Sequence, residues 1–459
     1  MQDVTQNKMA VMPIPKLLFS MSLPAMFSML IQALYNVVDS IFVSRLGESA
    51  LTAVSLVFPI QLLLVAVGVG TGVGLSSLIS RRLGQQRVDE AENAASHGIF
   101  LAVCSWLAFA LFGLIGTKAF IGAFTQDAYL VAAGIQYCSI VTIFSLFSFL
   151  QISAEKIMQS TGNMVFPMIG NIIGAVTNII LDPIMIFGLL GFPALGVAGA
   201  AIATVSGQLL GMIFNLFFLF RGKHQIEIRL RGFRLRAESI RDIYSVGLPS
   251  IIMQSIGSVM NLGINAILIG FSGAAIAVFG VYFKLQSFVF MPVFGLNQGL
   301  MPIMGFNFGA RNRHRLMQAF RLGLIAAVVI MTLGLAVFQI FPKTLLTMFD
   351  ASEEMFRVGI PALRSISLCF VPAAVGIICS TLFQATNHGL FSLLVSLLRQ
   401  LILILPLAWI LSRIGGLTLV WWAFPMAESI SLVASLILFR WIYYNQVLPL
   451  DQPDPKEFL

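Results

Sequence analysis

Charged side chains are scarce in this sequence of 459 residues, because Asp, Glu, Lys and Arg together make up only 10% of it. A soluble domain carries about 25% charged residues, so the composition excludes a water-soluble fold. Hydrophobic residues account for 58% of the chain, and the mean hydropathy is +0.94. This balance predicts an integral membrane protein with room for about twelve spans of ~20–30 residues.

The sequence also lacks the patterns of a catalytic centre or a metal site. Its four cysteines lie in apolar segments without metal-ligand spacing, and its four histidines are scattered near span ends. H-E-x-x-H, G-x-S-x-G and C-x-x-C motifs are absent, which leaves a polytopic membrane enzyme as a weak alternative. We therefore expect no enzyme activity, no cofactor and no resident metal.

Apolar runs separated by charges and turn signals predict twelve spans, an even number that places both chain ends on one side of the membrane. The predicted spans are residues 15–43, 50–81, 92–117, 127–153, 163–190, 195–220, 240–270, 274–304, 314–341, 355–384, 389–412 and 416–445. We expect five regions: an N-terminus at 1–14, an N-lobe at 15–220, a basic linker at 221–239, a C-lobe at 240–445 and a tail at 446–459.

Lys and Arg are distributed unequally between the two sides of the predicted topology. Of the 27 Lys and Arg residues, 19 fall on the side of the chain ends, with Lys156 counted among them, and five fall on the other side. The positive-inside rule then places both termini in the cytoplasm, and we expect a bacterial cytoplasmic (inner) membrane. The same bias explains the net charge of +8 without a nucleic-acid partner, and we interpret Arg221–Arg241 as a solvated loop rather than an RNA or lipid patch.

The two halves of the chain are related by an internal repeat. One constant shift aligns Pro, Asn, Gln and Gly positions without a gap: Pro24 with Pro249, Asn36 with Asn261, Gln61 with Gln286, Gly70 with Gly295, Gly74 with Gly299, and Gly84 with Gly309. Six spans lie within the shift, so both halves insert in the same direction. The prediction is an all-α fold of two six-helix bundles around a V-shaped cleft. Such a cleft favours a transporter with alternating access over a channel, which would require a ring of subunits.

Two prolines lie inside predicted spans, where they bend the helix. Pro24 and Pro249 each lie in the first span of a half, where proline removes a backbone hydrogen bond and bends the helix. Each proline is either a static kink or a working hinge, and the sequence leaves both interpretations open.

Two carboxylates in the first half lie within apolar spans. Counting residues from the outer span ends places Asp39, Asp182 and Thr204 roughly 9–13 Å below the outer surface. Asn178 is one helical turn before Asp182 and shares its face. Two carboxylates in a low-dielectric site resist ionising together, so the four side chains predict a site for H⁺ or for Na⁺. The alternative for Asp39 is an interfacial position paired with Arg45.

The second half does not repeat this chemistry, because Ile264 and Leu407 stand where the repeat places Asp39 and Asp182. Instead Lys284, Arg399 and Glu428 each lie well inside a span, near mid-membrane. We expect a buried charge network in which Glu428 pairs with Lys284 or Arg399. Its role is structural, or it acts in gating or coupling.

Four motifs in this order resemble multidrug and toxic compound extrusion (MATE) transporters: "LYNVVDSIFVSRLG" (34–47), "NIILDPIMIFGLLG" (178–191), "GVAGAAIATVSGQ" (196–208) and "FVFMPVFGLNQG" (288–299). The resemblance implies two six-helix lobes and antiport of cationic or amphipathic compounds against H⁺ or Na⁺. It also implies cation-coupling residues at Asp39, Asn178, Asp182 and Thr204. Residues 248–263 of span 7 and residues 380–389 at the end of span 10 contain no acidic residue, unlike the NorM type, so the chain looks closer to the DinF and MepA branches.

We expect the cargo to be a small organic molecule bound in the cleft of a monomer embedded in the lipid bilayer. A soft aromatic and methionine surface would suit hydrophobic cations. The expected cavity residues are Tyr35, Asn36, Met253, Met260, Phe283, Phe288 and Met291. The main rival is a flippase for lipid-linked saccharides, which would require a cavity rich in Arg and Lys.

Overall fold

A computed structural model describes residues 7–221, 226–228, 234–349 and 351–451. These residues form helices and short connections, and the described ranges contain no β-strand. Ten helices are long and apolar enough to cross a membrane, or up to twelve if each of two bent helix pairs counts as one span. The all-α fold and the number of predicted spans are confirmed. Residues 222–225 and 229–233 of the predicted linker, and residues 1–6 and 452–459 of the predicted ends, lie outside the described residues.

The first half of the chain begins with a single helical turn, α1 (Lys8–Val11), followed by six spans. The bend between α6 and α7 is 41° and divides the fourth span into two helices. The helices are α2 (Ile14–Ser44), α3 (Glu48–Gly84), α4 (Val88–Ile115), α5 (Thr117–Gly122), α6 (Ala128–Ile143), α7 (Leu146–Ser160), α8 (Val165–Phe187) and α9 (Val197–Arg221), with a 3₁₀ turn at Leu189–Gly191.

The second half repeats this order. A bend of 43° between α14 and α15 divides the tenth span, and a π-helical segment at Leu398–Leu403 joins α16 to α17. The helices are α10 (Ala237–Leu268), α11 (Gly273–Gly309), α12 (Arg313–Ile340), α13 (Pro342–Thr347), α14 (Glu353–Ser367), α15 (Phe370–Ala385), α16 (Gly389–Leu397), α17 (Ile404–Val420) and α18 (Ala423–Ile442), with a π segment at Tyr443–Val447 and a 3₁₀ turn at Leu448–Asp451.

Short turns with polar caps connect the long helices. Asp127, Ser272, Asn312 and Ser352 each precede a helix and accept a hydrogen bond from a backbone N–H of its first turn. Such caps satisfy donors that the first helical turn leaves free. The short turns therefore keep successive spans antiparallel and adjacent.

The two lobes meet through paired glycines at the ends of the spans on the side of the chain termini, which are called the inner ends, as opposed to the outer ends on the other side. A Cβ atom on Gly74 of α3 would lie 2.9 Å from the backbone nitrogen of Gly247 in α10, and one on Gly299 of α11 would lie 2.6 Å from the Ser22 hydroxyl in α2. In both pairs the backbone of the partner helix occupies the space that the Cβ atom of any other residue would need, so only glycine permits this approach. The same relation holds for Gly70 with Ile251 and Gly295 with Met26, and for Gly84 with Phe306 and Gly309 with Arg81.

These contacts explain the register of the repeat. The shift that relates Gly70 to Gly295 also relates the residues that they contact, because it carries Met26 onto Ile251. The contacts therefore obey a twofold relation between the lobes. The glycines that the sequence repeats are the positions where the lobes touch.

Outside these contacts, the four helices α2, α3, α10 and α11 separate toward their other ends. Side chains in their outer halves are exposed, including Val37 (45%), Leu63 (45%), Leu262 (71%) and Phe288 (50%). Among the described residues, a hydrophobic cluster that joins the two lobes lies at the inner ends, where Leu75 and Ile79 pack with Ile243 and Met304. The result is the predicted V-shaped cleft, closed at the inner end and open at the outer end.

Both described ends of the chain lie at the closed end of the cleft. The Arg315 guanidinium donates to the carbonyl oxygens of Met9 (3.0 Å) and Met12 (2.7 Å). Arg311 donates to the carbonyl oxygen of Pro449 (3.1 Å), so the α11–α12 turn contacts both ends. This common location is what an even number of spans requires. Pro24 and Pro249 both lie inside continuous helices, and their hinge role stays a prediction.

Replacing Gly74 by Val tests the glycine contacts. The new side chain would overlap α10, so we expect a loss of stability of about 1–3 kcal/mol, measured as a lower unfolding temperature in detergent. Gly280→Val is the matched control, because Gly280 is also helical but has no atom within 4 Å of its added Cβ. Equal unfolding temperatures for both variants would contradict this account of the lobe interface.

Candidate cation site

The centre of the N-lobe is polar where α8 packs against α9. Asp182 of α8 is fully buried, Asn178 one turn earlier is 2% exposed, and Thr204 of α9 is 7% exposed. With its amide nitrogen toward Asp182, Asn178 donates to Asp182 Oδ2 (2.9 Å) and accepts from the Thr204 hydroxyl (3.3 Å) and N–H (3.1 Å). The amide thus fixes the position of the carboxylate relative to α9.

Asp39 reaches the same point from α2. Its half-buried carboxyl group lies close enough to that of Asp182 for a hydrogen bond between them. Two carboxylates can share such a bond only when one of them carries a proton, because both lack a donor when ionised. One oxygen of each, Oδ1 in both residues, is buried and has no hydrogen-bond partner among the described residues. The pair therefore presents unused oxygens to a proton or a small cation.

Two tyrosines complete the surroundings of the pair. The Tyr35 hydroxyl lies near Thr204, and the Tyr137 hydroxyl accepts a hydrogen bond from Gln61 Nε2 (3.1 Å). Tyr35 precedes Asp39 by one turn of α2, so both side chains point into the N-lobe. Tyr35 was expected in the central cavity, and the structure places it at the carboxylate pair instead. The sequence did not single out Tyr137 as a site residue, although the repeat marked Gln61.

The donor set is limited to oxygens of two carboxylates, one amide and hydroxyl groups. Within the described ranges, no group of three or more His, Cys, Asp or Glu side chains could hold a metal ion. Tightly bound divalent metals prefer more charge than one carboxylate pair supplies. The structure brings together Asp39, Asn178, Asp182 and Thr204, and the arrangement suits a proton or a monovalent cation.

The expected charge network of the C-lobe is present only in part. Arg399 Nη1 lies 3.2 Å from Glu428 Oε1, and Glu428 is 6% exposed. Lys284 does not belong to this network, which corrects the expectation from the sequence. Its side chain is exposed, and its ammonium group lies 5.9 Å from the ring centroid of Phe349. The position of a residue along a span does not fix the direction of its side chain, which depends on the helix face.

Several expected cavity residues face the cores of the lobes instead. Met260 is 7% exposed and belongs to the hydrophobic core of the C-lobe, so its assignment to the cavity is wrong. Phe283 packs edge-on against Phe279, with ring centroids 5.0 Å apart. Phe288 and Asn36 are exposed, whereas the remaining two, Met253 and Met291, are half-buried.

A polar cluster at the inner end of the cleft was missed by sequence reasoning. Lys156 had been counted in an inner loop, but it lies within α7 and is only 7% exposed. Its ammonium group donates to Gln159 Oε1 (3.0 Å) and, across the lobe interface, to Gln298 Oε1 (3.1 Å). Because Gln298 precedes the contact residue Gly299, this bond reinforces the closed end of the cleft.

The neighbouring Glu155 is also buried, at 8% exposure, and satisfied by amide groups. Gln151 Nε2 (3.1 Å) and Asn215 Nδ2 (3.2 Å) donate to its Oε1, and Asn171 Nδ2 (3.4 Å) donates to its Oε2. A cavity of about 50 Å³ adjoins Lys156 and is lined by Ser76, Gln159, Asn297, Gln298 and Gln384. Gln159 and Gln384 occupy equivalent positions in the two halves under the same constant shift, so the repeat was the sequence signal for this cluster.

Two stretches of the chain, residues 24–184 and 249–410, match the MatE family model. The chain belongs to the MatE family. The two matches begin at the repeated prolines, Pro24 and Pro249, which agrees with the register of the repeat and with the glycine contacts. The resemblance inferred from the four motifs is therefore confirmed.

Named relatives cover nearly the whole chain. The multidrug export protein MepA of Staphylococcus aureus (strain MSSA476) is 25% identical over 428 residues, which is 93% of each chain. The FAD transporter of Shewanella oneidensis is 27% identical over 436 residues, 93% of this chain and 94% of the relative. Such relatives identify this chain as a multi-pass membrane transporter of the multidrug efflux type rather than an enzyme.

Solved structures show the same architecture. One, described as the outward-facing conformation of a multidrug resistance MATE family transporter, superposes with a TM-score of 0.91 at 26% identity, covering 98% of this chain and all of the other. Another is a transporter from Pyrococcus furiosus, described as having a binding pocket of reverse polarity. It superposes with a TM-score of 0.90 at 26% identity and covers 98% of this chain and all of the other.

The bond between Lys156 and Gln298 can be measured by a double-mutant cycle. Lys156→Met and Gln298→Met should each lower the unfolding temperature, with a coupling of about 1–3 kcal/mol between them, because hydrogen bonds to charged groups contribute this much. Lys118→Met in the exposed helix α5 is the control and should have no effect. Additive effects of the two changes would show that the bond does not stabilise the closed end.

Proposed function

We propose that this transporter exports amphipathic organic compounds in exchange for H⁺ or Na⁺, with Asp39 and Asp182 as the coupling carboxylates. The observation that carries the proposal is the close approach of these two carboxyl groups, within hydrogen-bond reach of each other, in a buried site. A proton or Na⁺ relieves the repulsion between them, and its departure restores that repulsion in a low-dielectric environment. The site is therefore able to respond to the occupancy of one small cation.

Helix α2 links the cation site to the cleft. Asp39 points into the N-lobe, whereas Val37, two residues earlier, is exposed on the other side of the same helix. Any displacement of the outer half of α2 therefore changes both sites together. Pro24 lies close to the glycine contact at Met26, where a missing backbone hydrogen bond makes bending easier.

Alternating access then follows from the two ends of the cleft. The inner end is closed by backbone contacts and by the Lys156–Gln298 bond, and these must separate when the inner end opens. With both chain ends in the cytoplasm of a bacterial inner membrane, the open end of the cleft faces outward. The likeness to an outward-facing MATE structure supports this orientation. The two lobes within one chain support a monomer as the working unit.

The nature of the cargo is supported by the relatives and by the cleft. The relatives are named for the export of multiple drugs and for the transport of FAD, compounds with both apolar rings and polar groups. The exposed Phe288 offers an aromatic surface for such rings. A lipid-linked saccharide flippase is not supported, because the described cleft faces lack the expected abundance of Arg and Lys.

Purified protein in liposomes tests the coupling. Export of a fluorescent amphipathic dye is followed under an imposed pH gradient and, separately, under an imposed Na⁺ gradient. We expect one gradient to drive transport, and Asp39→Asn or Asp182→Asn to reduce that gradient-driven rate by about tenfold or more, since each removes a proton- or cation-binding carboxylate.

Asp127→Asn is the matched control for the charge change, because Asp127 is an exposed helix cap. It should transport at the rate of the unmodified protein. Full gradient-driven transport by Asp39→Asn would refute the coupling role, and transport under neither gradient would refute antiport of this cargo.

A further inference from the structure

The residues that border the cleft can be identified from the glycine contacts. Met26 of α2, Gly70 of α3, Ile251 of α10 and Gly295 of α11 mark the faces that turn toward the opposite lobe. On an α-helix, residues 3, 4, 7 and 11 positions away lie on nearly the same face. The continuation of these faces toward the outer ends therefore forms the walls of the cleft.

Lys284 lies on the cleft face of α11. It is eleven residues before Gly295, about three full turns, so the two positions point in the same direction to within about 20°. Phe288 and Met291 lie between them on this face. The flank of α11 about 100° away from this face carries the buried Leu285 and Leu296. Lys284 therefore lies roughly 16 Å along α11 from the contact of Gly295 with Met26, in the direction of the outer end and inside the cleft.

The ammonium group of Lys284 has no acidic partner among the described residues. Its side chain is exposed, and its ammonium group lies 5.9 Å from the centroid of the Phe349 ring. A charge at this depth is unfavourable against lipid but not in a water-filled cleft. Exposure, depth and helix face therefore all place the lysine in the cleft.

The other cleft walls are uncharged at this depth. Among the described residues, the cleft face of α2 carries Ala33, Val37 and Ser40, that of α3 carries Thr52, Pro59 and Leu63, and that of α10 carries Ser255, Ser258 and Leu262. Glu48 stands at the outer mouth, as the first residue of α3. Asp39 belongs to the interior of the N-lobe. Lys284 therefore determines the electrostatic character of the middle of the cleft.

We propose that Lys284 is an anion subsite for cargo, binding the carboxylate or phosphate group of an amphipathic compound whose rings pack on Phe288. The lysine repels a simple organic cation and attracts an anionic group, with which it can form a charge-assisted hydrogen bond. The inference rests on the proposed function only in taking the cleft as the cargo site. It narrows the cargo to amphipathic compounds with an anionic group, rather than simple cations.

A pair of dyes with one ring system tests the subsite. A rhodamine with a free carboxylate and its ethyl ester are titrated against the purified protein in phosphatidylcholine nanodiscs without any gradient. We expect Lys284→Met to weaken binding of the carboxylate dye about tenfold, as the loss of one charge-assisted bond would. Binding of the ester should be unchanged or tighter, which also shows that the variant is folded. Lys284→Arg should retain the preference for the carboxylate.

Three outcomes would overturn the proposal. The first is an equal change in the affinity for both dyes in Lys284→Met. The second is that the unmodified protein binds the ester more tightly than the carboxylate dye, or binds neither dye. The third is competition by phosphatidylglycerol added to the nanodiscs, which would assign the lysine to a lipid headgroup.

Asp350 follows Phe349 in sequence but lies outside the described residues. Asp350→Asn should therefore leave the dye preference unchanged, and a several-fold rise in carboxylate affinity would show that Lys284 is already paired.

The two proposals fail separately. Asp39→Asn should abolish gradient-driven transport but keep the binding preference for the carboxylate dye. Loss of that preference in Lys284→Met alone would support the subsite even if neither gradient drives transport.

Discussion

The arrangement of this transporter depends on backbone contact between the lobes at glycines that have no side chain to keep the helices apart. Gly74 and Gly299 let α3 meet α10 and α11 meet α2 at the inner ends of the spans. Close packing at one end forces the outer ends of the same helices apart. The open cleft, the exposure of its walls and the position of Lys284 in it all follow from this contact.

Helix α2 gives the structure a means of connecting cation and cargo. One side of it carries Asp39 and Tyr35 into the N-lobe, and the other side forms part of the cleft wall. Because Pro24 stands close to the inner contact, the outer half of α2 can respond to the carboxylate pair without disturbing the closed end. In the proposed mechanism, the position of α2 therefore couples the carboxylate pair to the cleft.

The lobes share a backbone plan but differ in chemistry. The N-lobe contains the Asp39–Asp182 pair, whereas the equivalent C-lobe positions are apolar and its buried charges, Arg399 and Glu428, neutralise each other. An ion pair that is already satisfied has no need of a bound cation. The repeat therefore keeps the positions that shape the cleft, while the carboxylate pair is confined to one lobe and the proposed anion subsite to the other.

The sequence by itself determined the membrane class, the span order and the repeat. Hydropathy and the constant rise of a helix from one residue to the next suffice for these properties because they are local. Only the tertiary structure decided which side of each helix faces a neighbour. It moved Tyr35 to the cation site and Met260 into the core, buried Lys156 at the lobe interface, and directed Lys284 into the cleft. Those assignments depend on long-range packing between helices far apart in sequence, and hydropathy contains no information about it.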